Sequence, residues 1–233
     1  MSSANVEEFP NRGRSAGSHA AGKPTGRVSS VGDDPTVFAD IFRDDVNIAI
    51  WQRDISASLR EVVGRFLDQF PYLEKAFTVA PADASAAVIS VTNGKAPLEL
   101  ADEVAELVDM FCYLFDLKRA GLRLAALNRA MCPRFHVDRI PCRLVTTYHG
   151  VATEWLPHHA IGRATPGPGS QRQPGFAPGL YADLTDTRHL SCGDVALLKG
   201  SLWDGNEHGG LVHRSPEVPA GESRLMLSLD FSQ

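Results

Sequence analysis

The chain has 233 residues, of which 43% are hydrophobic and 22% are charged, as expected for a globular protein with room for one sizeable domain. Its formal net charge of −5 at pH 7, without a dense Lys/Arg patch, excludes nucleic acid as the expected partner. The N-terminal segment lacks the apolar core of a secretory signal, and no run approaches the length of a membrane-spanning helix. We therefore expect a cytoplasmic protein without a membrane partner, whose four cysteines stay reduced.

Composition divides the chain into a tail and a folded part. Residues 1–34 are rich in Ser, Gly, Ala, Pro and Arg and contain almost no bulky apolar residues. Such a segment buries too little surface to order itself, which predicts a disordered tail. Residues 35–233 are predicted to form a single α+β domain, in which residues 35–120 are mainly helical and residues 121–233 are mainly strands.

The N-terminal half contains the predicted helices. A short helix is predicted in "TVFADIF", and a strand over the apolar, β-branched run from Val46 to Arg53. Ser56 is a candidate N-cap for a helix through "SASLREVVGRFLDQFPYLEKAF", where apolar residues recur at helical spacing and Pro71 ends or kinks the helix. "AAVISVTNG" is predicted to be a strand that enters an Asn-Gly turn. The strongest helical pattern covers "PLELADEVAELVDMFCYLFDLKRAG", and its last residue, Gly121, suits a helix end.

The C-terminal half is dominated by strand-like runs. "CRLVTTYHG", "DVALLKG", "GLVHRS" and "SRLMLSLDF" are rich in apolar and β-branched residues. The Gly/Pro-rich stretch "GRATPGPGSQRQPGFAPG", which follows the first of them, is predicted to be a loop. Helices followed by strands indicate an α+β fold, with the helices packed on one side of an antiparallel sheet or small barrel.

A histidine and an aspartate stand two residues apart just before the first of these strands. If the segment is extended, His136 and Asp138 point to the same face, which places one nitrogen and one oxygen ligand together. His213 in "GLVHRS" is the candidate third ligand, whereas its rival His208 lies in a predicted loop. Two imidazoles and one carboxylate on one side of a metal leave the other side open, as in the facial triad of non-haem Fe(II) oxygenases.

A basic residue follows this constellation at the start of the last predicted strand. Arg224 is separated from His213 by ten residues, and its guanidinium can form a two-pronged ion pair with a carboxylate. A dicarboxylate cosubstrate such as 2-oxoglutarate offers that carboxylate. Arg143 and Arg214 are alternative basic candidates. Tyr148 either donates a hydrogen bond to the same carboxylate or is a core residue.

At these residues the sequence resembles the 2-oxoglutarate- and Fe(II)-dependent dioxygenases. The likeness covers roughly residues 121–233 and rests on "HVD", "GDVALL", "LVHRSP" and the Arg that follows. It implies a double-stranded β-helix core of the jelly-roll or cupin type, onto which the helical half packs. It also implies that His136, Asp138 and His213 bind Fe(II), that Arg224 anchors 2-oxoglutarate, and that an unidentified small molecule or protein is hydroxylated.

A second likeness covers most of the chain from about Val46. "MCPRFHVDRIPCRLVTTY", "TEWLPH", "GDVALLKG" and "HRSP" resemble a bacterial family known as domain of unknown function 1826, which implies no established activity. Its members are similar to proteins associated with zinc-starvation responses. The alternative is therefore a non-catalytic zinc-binding protein of the same fold, acting in zinc handling or sensing.

Two cysteines flank the His-x-Asp motif and belong to this alternative. Cys132 and Cys142 offer thiolates, which suit zinc together with imidazole. Their ten-residue separation does not match common zinc-finger spacing, and most free cysteines are small buried apolar residues. A third interpretation is a jelly-roll interaction domain whose metal site is vestigial.

Overall fold

The computed structural model describes residues 26–163, 176–177, 180–182 and 184–232. The α-helices in this part of the chain are α1 (Ala57–Gln69), α2 (Ala84–Val91) and α3 (Leu98–Leu114). Short 3-10 helices cover Pro35–Phe42, Pro81–Asp83, His158–Ala160 and Leu184–Asp186. The strands are β1 (Val28–Gly32), β2 (Val46–Trp51), β3 (Glu74–Val79), β4 (Ala120–Leu127), β5 (Cys142–His149), β6 (Glu154–Leu156), β7 (Ile161–Arg163), β8 (Leu180–Ala182), β9 (Arg188–His189), β10 (Val195–Lys199), β11 (Val212–Arg214) and β12 (Arg224–Phe231).

Two facing sheets form the body of the fold. The large sheet has seven strands in the order β1-β2-β10-β5-β12-β4-β3, and its neighbours are antiparallel except for the parallel pair β1 and β2. The small sheet has the order β11-β6-β9. An isolated antiparallel bridge between His136 and His213 adds the segment around His136 to it, next to β11. Strands β7 and β8 form a separate antiparallel pair.

The path of the chain between these sheets defines the fold class. From β4 in the large sheet the chain crosses to the small sheet at His136, and then returns in β5. It crosses again to β6 and β9, returns in β10, crosses to β11 and returns in β12. This alternation is the connectivity of a double-stranded β-helix. The predicted α+β class with a jelly-roll core is therefore confirmed.

Alternation of side chains along β12 gives the large sheet two different faces. Leu225, Leu227 and Leu229 belong to the main apolar core, together with the buried stripes of α1 and α3. The intervening residues line a cavity on the opposite face, towards the small sheet; they are Arg224, Met226, Ser228 and Asp230. Successive side chains of a strand point to opposite faces, so one strand serves both the hydrophobic core and the candidate site.

The two longer helices form where the sequence predicts them. The Ser56 hydroxyl accepts a hydrogen bond from Leu59 N at 2.9 Å and caps α1. Helix α3 buries the predicted apolar stripe, but it ends at Leu114 and not near Gly121. Asp116 has a φ of 52°, so it takes the left-handed conformation that ends a helix. None of the helices in the described ranges is both long and apolar enough to cross a bilayer.

Two local predictions are wrong. Residues 28–32 were assigned to the disordered tail, yet they form β1, which pairs with the buried β2; residues 1–25 lie outside the described residues. "AAVISVTNG" contributes to α2, because packing of this segment against α3 outweighs the strand preference of its four β-branched residues. As predicted, α1 ends before Pro71, since proline cannot extend a helix, and the chain after it forms β3. Most of the predicted Gly/Pro-rich loop also lies outside the described ranges.

Candidate metal centre and adjoining cavity

The backbone places two histidines side by side at the edge of the small sheet. His136 N donates to His213 O, and His213 N donates to His136 O, each at 3.0 Å. Directly opposed residues of an antiparallel pair carry their side chains on the same face. The two imidazole rings accordingly lie 4.6 Å apart between centroids, although 76 residues separate them in the chain.

Asp138 is brought to these histidines by a tight approach between two loops. Ser201 N donates to Asp138 O at 3.0 Å, and Gly200 N donates to Pro141 O at 2.8 Å. A Cβ at Gly200 would collide with the carbonyl oxygens of Ile140 and Asp138, so only glycine allows this approach.

The three predicted ligands converge on one point. One ligand atom from each of His136, Asp138 and His213 lies within 4.8 Å of the others. The predicted rival, His208, is exposed and is not part of this group. Among the described residues this is the group of three or more His, Cys, Asp or Glu side chains with metal-binding geometry.

Contacts between the Nδ1 atoms and backbone carbonyl oxygens orient both imidazoles toward the Asp138 carboxylate. His136 Nδ1 lies 2.8 Å from Arg134 O, and His213 Nδ1 lies 3.4 Å from Leu211 O. The Nε2 atoms face Asp138, at 3.4 Å from Oδ1 for His136 and 3.5 Å from Oδ2 for His213. A backbone carbonyl that accepts from Nδ1–H fixes the tautomer in which Nε2 is free to bind a metal.

The electrostatic environment keeps Asp138 ionised. Burial alone would raise the pKa of its carboxyl group, but hydrogen bonds with His136 and His213 and the charge of Arg143 outweigh burial and hold the pKa far below its usual range. The Asp138 carboxylate in turn raises the pKa of His136. The centre therefore offers one permanent negative charge beside two imidazoles, which is a suitable donor set for a divalent cation.

Arg143 contacts the carboxylate of Asp138, and its position in the sequence does not predict this contact. Its Nη1 donates to Asp138 Oδ2 at 2.7 Å, while Nε and Nη2 donate to the two carboxylate oxygens of Asp230 at 2.7 and 2.8 Å. Arg143 and Asp230 are directly paired residues of β5 and β12. Sequence spacing alone could not reveal this pair, because it depends on the register between two strands 87 positions apart.

Arg224 is a buried cation without a carboxylate partner in the described part of the chain. It is 1% exposed, and no Asp or Glu of the described residues forms an ion pair with it. Its Nη1 donates to Ser215 Oγ at 2.8 Å, and its Nη2 to Thr153 Oγ1 at 3.0 Å and Thr147 Oγ1 at 3.3 Å. Nε is buried without a partner among the described residues. Burial lowers the pKa of Arg224 to about 10.

Backbone packing after β5 fixes the position of Arg224. Gly150 has a φ of 81°, and a Cβ at this residue would collide with Ser223 O and lie 3.1 Å from the Arg224 Cα. The turn that follows β5 therefore presses directly on the start of β12. A glycine is required there both by the left-handed φ and by the close approach.

The metal centre and Arg224 share one cavity. Its volume is about 100 Å³, and its wall includes His136, His213 and Arg224. The remaining lining residues are Arg123, Met131, Cys132, Arg143, Val145, Thr153, Arg214, Ser215, Met226, Ser228 and Asp230. Arg214, an alternative basic candidate, is paired with Glu154 and lies over the Phe135 ring. Pockets that enclose drug-sized ligands are several times larger, so this cavity suits a small molecule.

Of the two alternatives for Tyr148, the structure agrees with the core residue and not with the cofactor contact. Tyr148 is fully buried in the main apolar core, on the helix-covered face of the large sheet. Burial and the nearby charge of Glu103 on α3 raise the pKa of its hydroxyl. Thr147, the preceding residue of β5, is the one that reaches the cavity side and contacts Arg224. An offset of one residue along the strand moves a side chain to the opposite face.

The flanking cysteines do not join the metal centre. Cys142 is buried in the main core, on the same face of β5 as Tyr148, and burial raises the pKa of its thiol. Cys132 is exposed and borders the cavity, but it does not belong to the ligand group. The predicted alternative of a zinc site with both thiolates is therefore wrong, since the two cysteines lie on different sides of the large sheet.

The sequence matches one protein family over most of its length. The family model, described as "Protein of unknown function (DUF1826)", matches residues 32–230. The chain therefore belongs to this family, as the sequence motifs predicted. No curated protein matches the sequence.

Several solved structures are similar in outline at low sequence identity. The dioxygenase for auxin oxidation 1 from Arabidopsis thaliana, in complex with 2-oxoglutarate, has a TM-score of 0.47 and 10% identity, covering 88% of this chain and 91% of that chain. The rice dioxygenase for auxin oxidation has a TM-score of 0.46 and 13% identity, with coverages of 88% and 82%. A prolyl-4-hydroxylase from Pseudomonas putida has a TM-score of 0.40 and 13% identity, with coverages of 85% and 98%.

Proposed function

We propose that this member of the DUF1826 family is an Fe(II)- and 2-oxoglutarate-dependent oxygenase. Its substrate would be a small molecule or a protein, and not nucleic acid. One observation carries the proposal: Arg224, a buried guanidinium without an acidic partner among the described residues, lines the same small cavity as His136 and His213.

The donor set fits iron. Two imidazole nitrogens and one carboxylate, His136, His213 and Asp138, form the facial triad that leaves positions open for other ligands. When bound, Fe(II) and 2-oxoglutarate would supply the electrons that activate dioxygen, which is the oxidant. The chain's own residues hold the ligands in place: the two Nδ1 atoms face backbone carbonyls, and Asp138 stays anionic.

The surroundings of Arg224 fit a carboxylate ligand. A buried charge without a counter-ion is costly, and hydroxyl groups compensate it only in part. Ser215, Thr147 and Thr153 hold the guanidinium in place by accepting hydrogen bonds, and their own hydroxyl hydrogens are available to a ligand oxygen. A carboxylate bound here would complete the missing ion pair with charge-assisted hydrogen bonds.

The cavity is large enough for the cosubstrate but not for a larger substrate as well. About 100 Å³ suits a small dicarboxylate held between Arg224 and the metal centre. The apolar side chains of Val145 and Met226 line this space and limit the access of water. A larger substrate would approach from the cavity mouth, where Cys132 is exposed.

Calorimetry under anaerobic conditions tests the proposal, with Fe(II) and 2-oxoglutarate titrated in turn into metal-free protein. Both should bind, and aerobic protein should convert 2-oxoglutarate to succinate. Arg224→Gln should retain metal binding and weaken 2-oxoglutarate binding by 100-fold or more. Without the guanidinium, the ligand's carboxylate would be a buried charge without a partner, which costs about 3–5 kcal/mol.

Arg214→Gln is the matched control for this experiment. Arg214 lines the same cavity but is already paired with Glu154, so its loss should change 2-oxoglutarate affinity far less. Equal losses in the two variants would contradict the role of Arg224. Tight zinc binding, without iron or 2-oxoglutarate binding, would instead support the alternative of a zinc-handling protein.

A further inference from the structure

The carboxylate of the candidate metal centre is held by an arginine that is itself held by a second carboxylate. Arg143 directs Nη1 to Asp138 Oδ2, at 2.7 Å, and directs Nε and Nη2 to Asp230. The Asp230 pair is bidentate, with both distances below 2.9 Å, which is the geometry that best restricts a guanidinium. All three side chains are partly buried.

We propose that Arg143, fixed by Asp230, is a positioning residue for Asp138 and thereby sets the affinity and geometry of the metal centre. This inference rests on the proposed function only in requiring that the centre binds a divalent metal. It concerns a contact outside the three ligands and names the two residues that would tune them.

The position of Asp138 explains why it needs such a contact. It lies outside the strands, in the segment between His136 and β5, so no sheet pairing restricts its side chain. Arg143 engages Oδ2, while Oδ1 lies on the side of His136 Nε2, at 3.4 Å. One oxygen is thus engaged by the guanidinium, and rotation of the carboxylate is restricted by a residue anchored in the large sheet.

Asp230 has a second effect besides orientation. An arginine beside a cation site would repel the metal, because like charges at short distance oppose each other. The bidentate pair with Asp230 compensates that charge. Arg143 can therefore hold Asp138 without adding a full positive charge to the centre.

The opposite interpretation makes a prediction of opposite sign. If Arg143 were simply a counter-ion that competes with the metal for Asp138, its removal would strengthen metal binding. If it positions Asp138, its removal weakens binding. Loss of an outer contact to a metal ligand typically costs 10- to 100-fold in affinity.

Co(II) is the probe, because its visible absorption reports coordination geometry independently of turnover. The metal-free full chain and its Arg143→Gln, Arg143→Lys and Asp230→Asn variants are titrated with Co(II) by calorimetry and absorption. We expect a loss of about 10-fold or more for Arg143→Gln with an altered spectrum, a smaller loss for Asp230→Asn, and partial recovery with lysine, which keeps the charge but not the fork.

Arg123→Gln is the matched control. Arg123 lines the same cavity and is paired with Glu74, but it makes no ion pair with Asp138. It should leave both Co(II) affinity and spectrum unchanged. Thermal unfolding of the metal-free proteins identifies misfolded variants. If Arg143→Gln is misfolded, the Co(II) affinity and spectrum of Arg143→Lys are compared with those of the wild type, and a weaker affinity with an altered spectrum supports the inference.

The possible failures are separable. Wild-type affinity and spectrum in the Arg143 variants, or tighter binding, would overturn this inference while leaving the proposed function intact. A wild-type protein that does not bind Co(II) at all would overturn both.

Discussion

The two faces of the large sheet differ in polarity and in what lies against them. On the helix-covered face, β12 presents three buried leucines to an apolar core. On the other face, the same strand presents Arg224, Met226, Ser228 and Asp230 to a polar cavity. The strand's backbone is common to both, so the difference comes from side-chain parity alone. The main apolar core lies on one face, and the candidate site lies on the other, beside a smaller cluster of buried apolar residues.

The cavity face shows a further contrast between two arginines. Arg143 is paired with the carboxylates of Asp138 and Asp230, whereas the side-chain partners of Arg224 among the described residues are hydroxyl groups. The first arginine is already compensated, which suits a structural or positioning task. The second lacks a counter-charge, which suits the recognition of an anionic ligand. The residue type is the same, and the neighbours decide the role.

The largest expected effect comes from removing a ligand on the cavity face. His213→Ala should weaken Fe(II) or Co(II) binding by more than about 100-fold, because loss of a ligand exceeds the 10- to 100-fold cost of losing an outer contact. Calorimetry measures it. His208→Ala is the control, since His208 is exposed and outside the ligand group. An unchanged metal affinity in His213→Ala would show that these three residues do not form a metal site.

A substitution on the helix-covered face should separate stability from binding. Leu227 is fully buried in the main core, and Leu227→Ala should lower the free energy of unfolding by about 2–5 kcal/mol through lost burial and a cavity. Chemical denaturation of the metal-free protein measures this loss. Metal affinity should stay within a factor of about three in the folded protein.

Ser228→Ala, one position further and on the cavity face, is the control for this experiment. It removes a single hydroxyl, so we expect a stability change below about 1 kcal/mol. If Ser228→Ala destabilised the protein as much as Leu227→Ala, the assignment of the main apolar core to the helix-covered face would be wrong.

Gly150 links the turn after β5 to the position of Arg224 and gives a smaller effect. Gly150→Ala should destabilise the protein by about 1–3 kcal/mol, because φ is 81° and the new methyl group meets Ser223 O. Because the collision displaces the start of β12, 2-oxoglutarate affinity should fall more than metal affinity. Calorimetry with each ligand measures the two effects.

The chain contains a control for the backbone part of this effect. Gly94 also has a positive φ, of 72°, but a Cβ there meets nothing within 4 Å. Gly94→Ala should therefore cost stability alone, without changing the affinity for 2-oxoglutarate. A loss of 2-oxoglutarate binding in both variants would show that the effect of Gly150 is not local.

Spacing and residue type were sufficient to predict that His136, Asp138 and His213 converge, and Arg224 lines the cavity beside them. His136 and Asp138 are two apart, and His213 lies in a recognisable strand pattern. The jelly-roll connectivity that the resemblance implies then brings the two segments together. The Arg143–Asp230 pair needed more, because its register is set by the pairing of β5 with β12. Register depends on packing across the whole sheet, which a single strand's sequence does not encode.

The local errors have a similar origin. "AAVISVTNG" carries both helix-favouring alanines and β-branched residues, and its packing against α3 decides for a helix. Residues 28–32 have little apolar character, yet the neighbouring strand β2 provides the hydrogen bonds that order them. In both cases the deciding partner lies elsewhere in the chain.

The smallest expected effect belongs to Tyr148, whose side chain faces the helix-covered core. Tyr148→Phe should change 2-oxoglutarate affinity by less than about threefold, because the hydroxyl lies in the helix-covered core and not in the cavity. Thr147→Val, its neighbour in β5, removes an acceptor for Arg224 Nη2 and should weaken binding by about 1 kcal/mol, or roughly fivefold. Parallel calorimetric titrations compare the two. A larger loss for Tyr148→Phe than for Thr147→Val would place the cosubstrate on the wrong side of the sheet, and the separation of core and site by strand parity would fail with it.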